Sequence, residues 1–170
     1  MAEITSAGAI IRGHYRYHLH RRWNPTLPPL VFVMLNPSTA DETADDPTIR
    51  RCIGFAETLG FGGIDVVNLF AFRATKPADL RRAGWPVGPE NDGWITAAAE
   101  QAVEAAGAVC CAWGAGADGL SRPQTVLRII REAGAEPQCL ERTKSGAPAH
   151  PLYLPGATRL RPLQAQGLTV

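Results

Sequence analysis

Asn68 stands deep in an apolar run, IDVVNLFAF. A primary amide inside such a run must find partners or cost stability, so either the backbone satisfies it or it recognises a ligand that carries donors and acceptors. Polar or glycine-containing turns close other apolar runs as well. One ends in MLNPSTAD, with Asn36, Pro37, Ser38, Thr39 and Asp41; an Asn-Pro pair alone is an ordinary turn. Another ends in AVCCAWGAGA, where Trp113 reads as a packing residue and Gly116 loosens the turn. A further one leads into TKSGAPAHPLYLPG, which holds His150 between Pro148 and Pro151. Lys144, Ser145 and Gly146 share that loop, and a Ser-Gly turn with exposed N–H groups beside a lysine can grip phosphate. Arg73, Arg50, Arg51 and the arginines near residue 22 are candidates for the same face. Arg50 and Arg51 follow Asp41, Glu42, Asp45 and Asp46, and read equally as part of a local ion-pair network. Phe70 and Phe72 are close enough to Asn68 to stack on a ligand, with core packing the alternative.

The elements that position these residues follow from periodicity. Leu30–Leu35, Ile64–Leu69, Ala108–Trp113 and the weaker Pro137–Leu140 are short apolar runs, the first three nearly continuous. Continuous rather than alternating apolar sequence marks strands buried on both faces. Helices are expected between them, from Pro47 to Leu59, Asp92 to Ala106 and Pro123 to Ala133. Asp45 and Asp46 can cap the first and Gly60 ends it; Gly107 and Gly134 follow the other two. Pro123 suits a first helical turn, and in VGPEND, Asn91 or Asp92 is expected to cap the second helix. Alternating strands and helices of this kind imply a parallel sheet covered by helices, with ligand sites beyond the carboxyl ends of the strands. That is where the unusual polar residues fall.

The N-terminal segment differs. In HYRYHLH, Tyr15, Tyr17 and Leu19 alternate with His14, Arg16, His18 and His20. This predicts a half-exposed edge strand in a hairpin turning at Gly13, kept soluble by its charged face. Arg21 and Arg22 extend the positive patch and leave a phosphate contact open.

Bulk properties exclude several classes. A chain of 170 residues suits one domain, here residues 1–170 with a hairpin extension over 1–29. Hydrophobic residues make up 45% and charged ones 19%, against disorder and against a membrane protein. With Lys+Arg 17 and Asp+Glu 16 the formal net charge is +1, so overall basicity offers no argument for DNA. MAEITSAGAII lacks a basic n-region, and a cytoplasmic monomer is the expectation. Cys52, Cys110, Cys111 and Cys139 form no C-x-x-C pair, and adjacent Cys110 and Cys111 would face opposite ways on a strand. Small buried hydrophobes in a reducing compartment are the reading, with no metal, no disulfide and no cofactor. No obligate protein partner is evident.

Taken together, NPSTADETADDPTIRRC, NLFAFRAT, VGPEND, AWG and TKSGAPAHPLYL resemble the bacterial family called domain of unknown function 1643 over nearly the whole chain. In order and approximate spacing, Asn36-Pro37, Asn68, Trp113-Gly114 and His150-Pro151 also resemble the uracil-DNA glycosylase superfamily. That resemblance implies a three-layer α/β/α sandwich with a central four-stranded, mainly parallel sheet, plus the N-terminal hairpin. It implies that Asn36 orients an attacking water, that Asn68 reads the polar edge of an extruded pyrimidine, and that His150 stabilises the departing base. Leu152 would lie near a loop that wedges into the duplex. An Asn takes no proton as a carboxylate does, so Asn36 would act through its carbonyl.

Three departures stand out: Ser38 where several glycosylases have glycine or tyrosine, Met34 where the motif starts with glycine, and Leu152 where serine often follows His-Pro. Ser38 leaves room for a substituent on the base. The cysteine spacing gives no support for an iron–sulfur cluster. The leading expectation is hydrolysis of the N-glycosidic bond of a damaged or modified base in DNA. A hydrolase of free nucleosides or nucleotides, favoured by the near-neutral charge, and a non-catalytic module that binds a nucleotide or modified base are the competing readings.

Overall fold

Runs that are apolar at every position can bury both faces of a strand, and β3 (Pro29–Met34) does so: Leu30, Phe32 and Met34 pack on one side, Val31 and Val33 on the other. The computed structural model describes residues 2–163. β4 (Gly63–Asn68), β5 (Ala108–Cys111) and β6 (Pro137–Cys139) correspond to the other runs read as strands. β1 (Ser6–Arg12) and β2 (Tyr15–Arg22) precede them, and the two-residue β7 (Arg161–Pro162) follows. The helices are α1 (Pro47–Thr58), α2 (Pro77–Arg82), α3 (Asn91–Glu104) and α4 (Arg122–Glu132).

All seven strands join one mixed sheet in the order β1-β2-β4-β3-β5-β6-β7, a larger sheet than the four-stranded one expected from sequence. β3 runs parallel to β4 and to β5, and β5 runs parallel to β6. β1–β2, β2–β4 and β6–β7 are antiparallel. The difference lies at the edges: the hairpin is no appendage, because β2 pairs with β4 from Leu19 opposite Val66 to Arg22 opposite Gly63. α1 covers one face through Ile49, Cys52, Ile53, Phe55 and Ala56. α3 and α4 cover the other through residues such as Ile95, Ala99, Val126 and Ile130. Cys110 and Cys111 fall in these two opposite layers, as adjacent strand residues must. All four cysteines are buried and unpaired, and burial pushes the Cys52, Cys110 and Cys111 thiols upward.

Two local expectations are corrected. β2 is not an edge strand, and a bulge opposite Ile10/Ile11 skips Tyr17, so Arg16 pairs with Ile11 and His18 with Ile10. The extra residue breaks the strict alternation. Arg16 and Arg21 are buried with Leu19, at 2% and 1% exposure, while His18 stacks on Trp94 of α3 at 5.7 Å. At α3, neither Asn91 nor Asp92 caps the helix: Glu90 holds the cap position with no side-chain bond, and Asn91 is wholly buried. α1 does behave as read, with Asp46 accepting from Ile49 N at 2.9 Å and Gly60 in the left-handed region at φ 89°. The six-residue α2 was not anticipated, being too short to show a period. Among the described residues no helix is long and apolar enough to cross a membrane.

Candidate functional site

The chain leaves β3 for β4 on one side and later returns past β3 to β5 on the other, so the connections diverge at the carboxyl ends of β3 and β5. Such a divergence opens a crevice in parallel α/β sheets. A cavity of about 330 Å³ lies there, a size within the range of small-molecule sites. Asn36, Ser38, Asn68, His150 and Leu152 all line it, although they span 117 positions of sequence from 36 to 152.

Asn68 ends β4, is 0% exposed, and neither Oδ1 nor Nδ2 has a hydrogen-bond partner in the protein. Its backbone is held from behind. Asn91 Nδ2 donates to Asn68 O at 2.9 Å and to Leu69 O at 3.2 Å, and Arg122 Nε donates to Leu69 O at 2.8 Å. The strand end is thus pinned by side chains of α3 and α4, while the amide at the cavity wall has no partner in the protein. VGPEND therefore contributes a positioning residue where the sequence suggested a cap.

Asn36 follows β3. Its Nδ2 donates to Pro37 O at 3.0 Å and Ala74 O at 2.8 Å, which fixes the amide and leaves Oδ1 as its acceptor for a ligand or water. The NPST loop is clamped by Arg73, whose guanidinium donates to Ser38 O at 3.2 Å and Thr39 O at 3.3 Å. Arg73 holds the loop's backbone.

His150 enters from the far loop. Its Nδ1 accepts from Leu152 N at 3.2 Å, so the neutral ring carries its proton on Nε2 and has one donor to offer. Burial holds this imidazole below the ordinary histidine value, with Asp46 pulling the other way. Arg51 fastens the loop to α1 by donating to Pro151 O at 3.3 Å and to Leu154 O. Leu152, 38% exposed, and Tyr153, 83% exposed, form an apolar lip.

The depressed histidine has a consequence for stability. Its folded value lies below the unfolded value of about 6.5, so the unfolded chain binds more protons in that window. Stability is fully present above about pH 6.5 and is lost as pH falls through the folded value. His20, also pushed down by burial, acts in the same direction. The denaturant midpoint is expected to drop between about pH 7.5 and pH 5.5, above the carboxylate range, and His150→Gln should flatten part of that slope. An unchanged wild-type midpoint would contradict the burial of these rings.

The remaining expected residues lie elsewhere. Phe70 packs on the opposite side of the sheet against Trp85, with ring centroids 5.4 Å apart, and Phe72 packs beside Tyr15. Neither lines the cavity. Ser145 and Gly146 line a neighbouring cavity of about 270 Å³ that shares the Trp113 wall, and Lys144 is exposed on the same turn. Arg50 and Arg51 donate to backbone carbonyls rather than to the nearby carboxylates; Arg50 reaches Asp45 O at 3.2 Å. Arg21 pairs with Asp45 at 2.9 Å, and Arg22 grips both oxygens of Asp65 at 3.0 Å.

Trp113, Asp46 and Arg16 are among the cavity residues that sequence does not announce. Trp113 was assigned to packing and is 4% exposed, yet it lines both cavities. Asp46 caps α1 as expected and lines the cavity too. Arg16 was placed on an exposed face, but lies in the cavity wall. No signal in HYRYHLH announces the bulge that turns it inward.

Residues 16–152 match the family described as Protein of unknown function (DUF1643). The chain belongs to this family. The match begins at Arg16 and ends at Leu152, so it encloses every cavity residue named above except Tyr153. No curated protein and no solved structure matches the chain.

Proposed function

We propose that this DUF1643 protein hydrolyses the N-glycosidic bond of a damaged or modified base, in the manner of the uracil-DNA glycosylases that its motifs resemble. The observation that carries the reading is the Asn68 amide, wholly buried at the cavity wall with a free donor and a free acceptor. A pyrimidine edge offers the complementary acceptor and donor side by side. A ligand with such an edge repays the cost of keeping a bare amide there.

The chemistry then assigns itself to the other residues. As the bond to the base breaks, its electron pair goes to the ring nitrogen and positive charge grows on the sugar. Asn36 Oδ1 orients the water that adds to the sugar carbon. His150 Nε2–H donates to the charge developing on the base, an interaction worth about 3 kcal/mol when pre-aimed. Overall the water gives its hydroxyl to the sugar and its proton to the base. Ser38 and the Leu152–Tyr153 lip leave space for a substituted ring.

One observation favours free nucleosides or nucleotides over duplex DNA. Arg21, Arg22, Arg51 and Arg73 all spend their guanidinium groups on protein carbonyls or carboxylates. These four arginines are engaged within the fold rather than presented to a phosphate backbone. The deciding experiment is base release from single- and double-stranded oligonucleotides carrying uracil, thymine mismatches, hypoxanthine or 5-substituted pyrimidines, beside the matching free nucleosides. Release by the wild type and not by Asn36→Ala is the expected result. Binding of a base without release from any substrate would convert the reading to a non-catalytic module, and neither binding nor release would overturn it.

A further inference from the structure

Arg16 lines the cavity and has no part in the reaction proposed for it. Its side chain is buried at 2% exposure in the cavity wall. Nη1 donates to Ala40 O at 3.1 Å, but Nε has no partner in the protein. Burial lowers the guanidinium to about 10, which still leaves it cationic at neutral pH.

Asp46 lies near enough to favour that charge, yet it is not committed to Arg16. Its Oδ1 accepts from Ile49 N at 2.9 Å and its Oδ2 from Ala40 N at 3.3 Å. The carboxylate is thus satisfied at the N-terminus of α1, where the helix dipole stabilises it. Arg21 and Arg73 add positive field at Arg16. A buried cation with a bare N–H at the wall of an open cavity is a donor site for an anion.

The position narrows the source. Arg16 N donates to Ala71 O at 3.0 Å, which sets the residue beside the chain leaving β4, close in sequence to Asn68. Arg16 and Asn68 line one cavity of about 330 Å³, so a base held there by Asn68 would bring its own substituents to the Arg16 wall. We propose that Arg16 determines specificity in this cavity by reading an oxyanion borne on the base itself, so that the ligand class is a carboxylated pyrimidine; this rests on the nucleobase reading above.

The test is calorimetric titration of the wild-type chain with uracil, uracil 5-carboxylate, uracil 5-carboxamide, orotate and uridine 5′-monophosphate. One of the two carboxylates is expected to bind about tenfold to a hundredfold more tightly than uracil or the neutral carboxamide, the span of a charge-assisted hydrogen bond. Arg16→Gln should abolish that preference while still binding uracil. The ligand series in wild type decides the matter even if the variant does not fold. Uracil binding with no carboxylate preference overturns this inference and leaves the nucleobase reading standing. A preference confined to the monophosphate overturns it as well, since the anion would then come from the sugar side. Failure of all five to bind overturns both.

Discussion

Replacing Asn68 by leucine should make the protein more stable and deprive it of its ligand. The buried amide has no partner for either polar atom, so it is a standing cost; an apolar side chain against the same cavity should gain about 1 kcal/mol. For a chain of this size that is a rise of about 2–4 °C in melting temperature. Base affinity should fall by about a hundredfold with the loss of two hydrogen bonds, and kcat/KM with it. The opposite signs make the prediction diagnostic. A structural amide would lose stability on replacement, and a ligand-reading amide gains it. Thermal melts beside calorimetric titration of uracil give both numbers from one preparation, and a destabilised Asn68→Leu would place the amide in the scaffold.

The contrast between Asn68 and Arg16 shows how far a sequence carries such a site. Asn68 was legible because an amide interrupting IDVVNLF violates the apolar pattern around it, and a violation on a buried strand is visible without coordinates. Asn36 and His150 drew their roles from the glycosylase resemblance alone, since an Asn-Pro turn and a lone loop histidine say little by themselves. Their assembly around one cavity follows from parallel strands presenting all carboxyl ends to the same side. Arg16 was illegible because its strand obeys the period of two in sequence and breaks it in space. A single bulge at Tyr17 exchanges the faces, and a bulge has no residue signature there. Arg21 keeps the face of Leu19 that plain alternation gives it, and only its charge pointed to the surface. Asp46 was half legible: helix capping explained it fully, so nothing prompted a second role. Phe70 erred in the other direction. Two residues beyond Asn68 would share its face on a continuing strand, but β4 ends at Asn68 and the chain turns Phe70 toward Trp85. At the sheet margins the seven-stranded arrangement exceeded the expected four because β7, two residues long, is below any period, and because the hairpin's charged residues disguised an interior strand.

Arg21 tests that disguise directly, and its loss should be the most destabilising single change among the arginines of β2. The side chain is 2% exposed, and its nitrogens donate to Asp45 Oδ1 at 2.9 Å, Asp41 O at 2.6 Å, Ala44 O at 3.2 Å and His20 O at 2.8 Å. These bonds tie the loop of residues 41–45 to the sheet, and that loop delivers Asp46 to the start of α1 and to the cavity. Arg21→Met keeps most of the apolar stem but strands the carbonyls and leaves Asp45 without its cation. Asp45 keeps 26% exposure, so most of the cost comes from the carbonyls left bare, at about 1–3 kcal/mol for each unsatisfied group and about 3–5 kcal/mol in all. That corresponds to a fall of roughly 6–20 °C in melting temperature for a chain of this length. Arg50→Ala is the matched control, since the exposed Arg50 makes one bond to Asp45 O and its loss should stay within about 0.5 kcal/mol. A phosphate-binding role for Arg21, the reading its sequence invites, predicts the reverse: near-normal stability with weakened nucleic-acid binding. Melting curves of the two variants therefore separate an arginine that builds the loop from one that faces a polyanion.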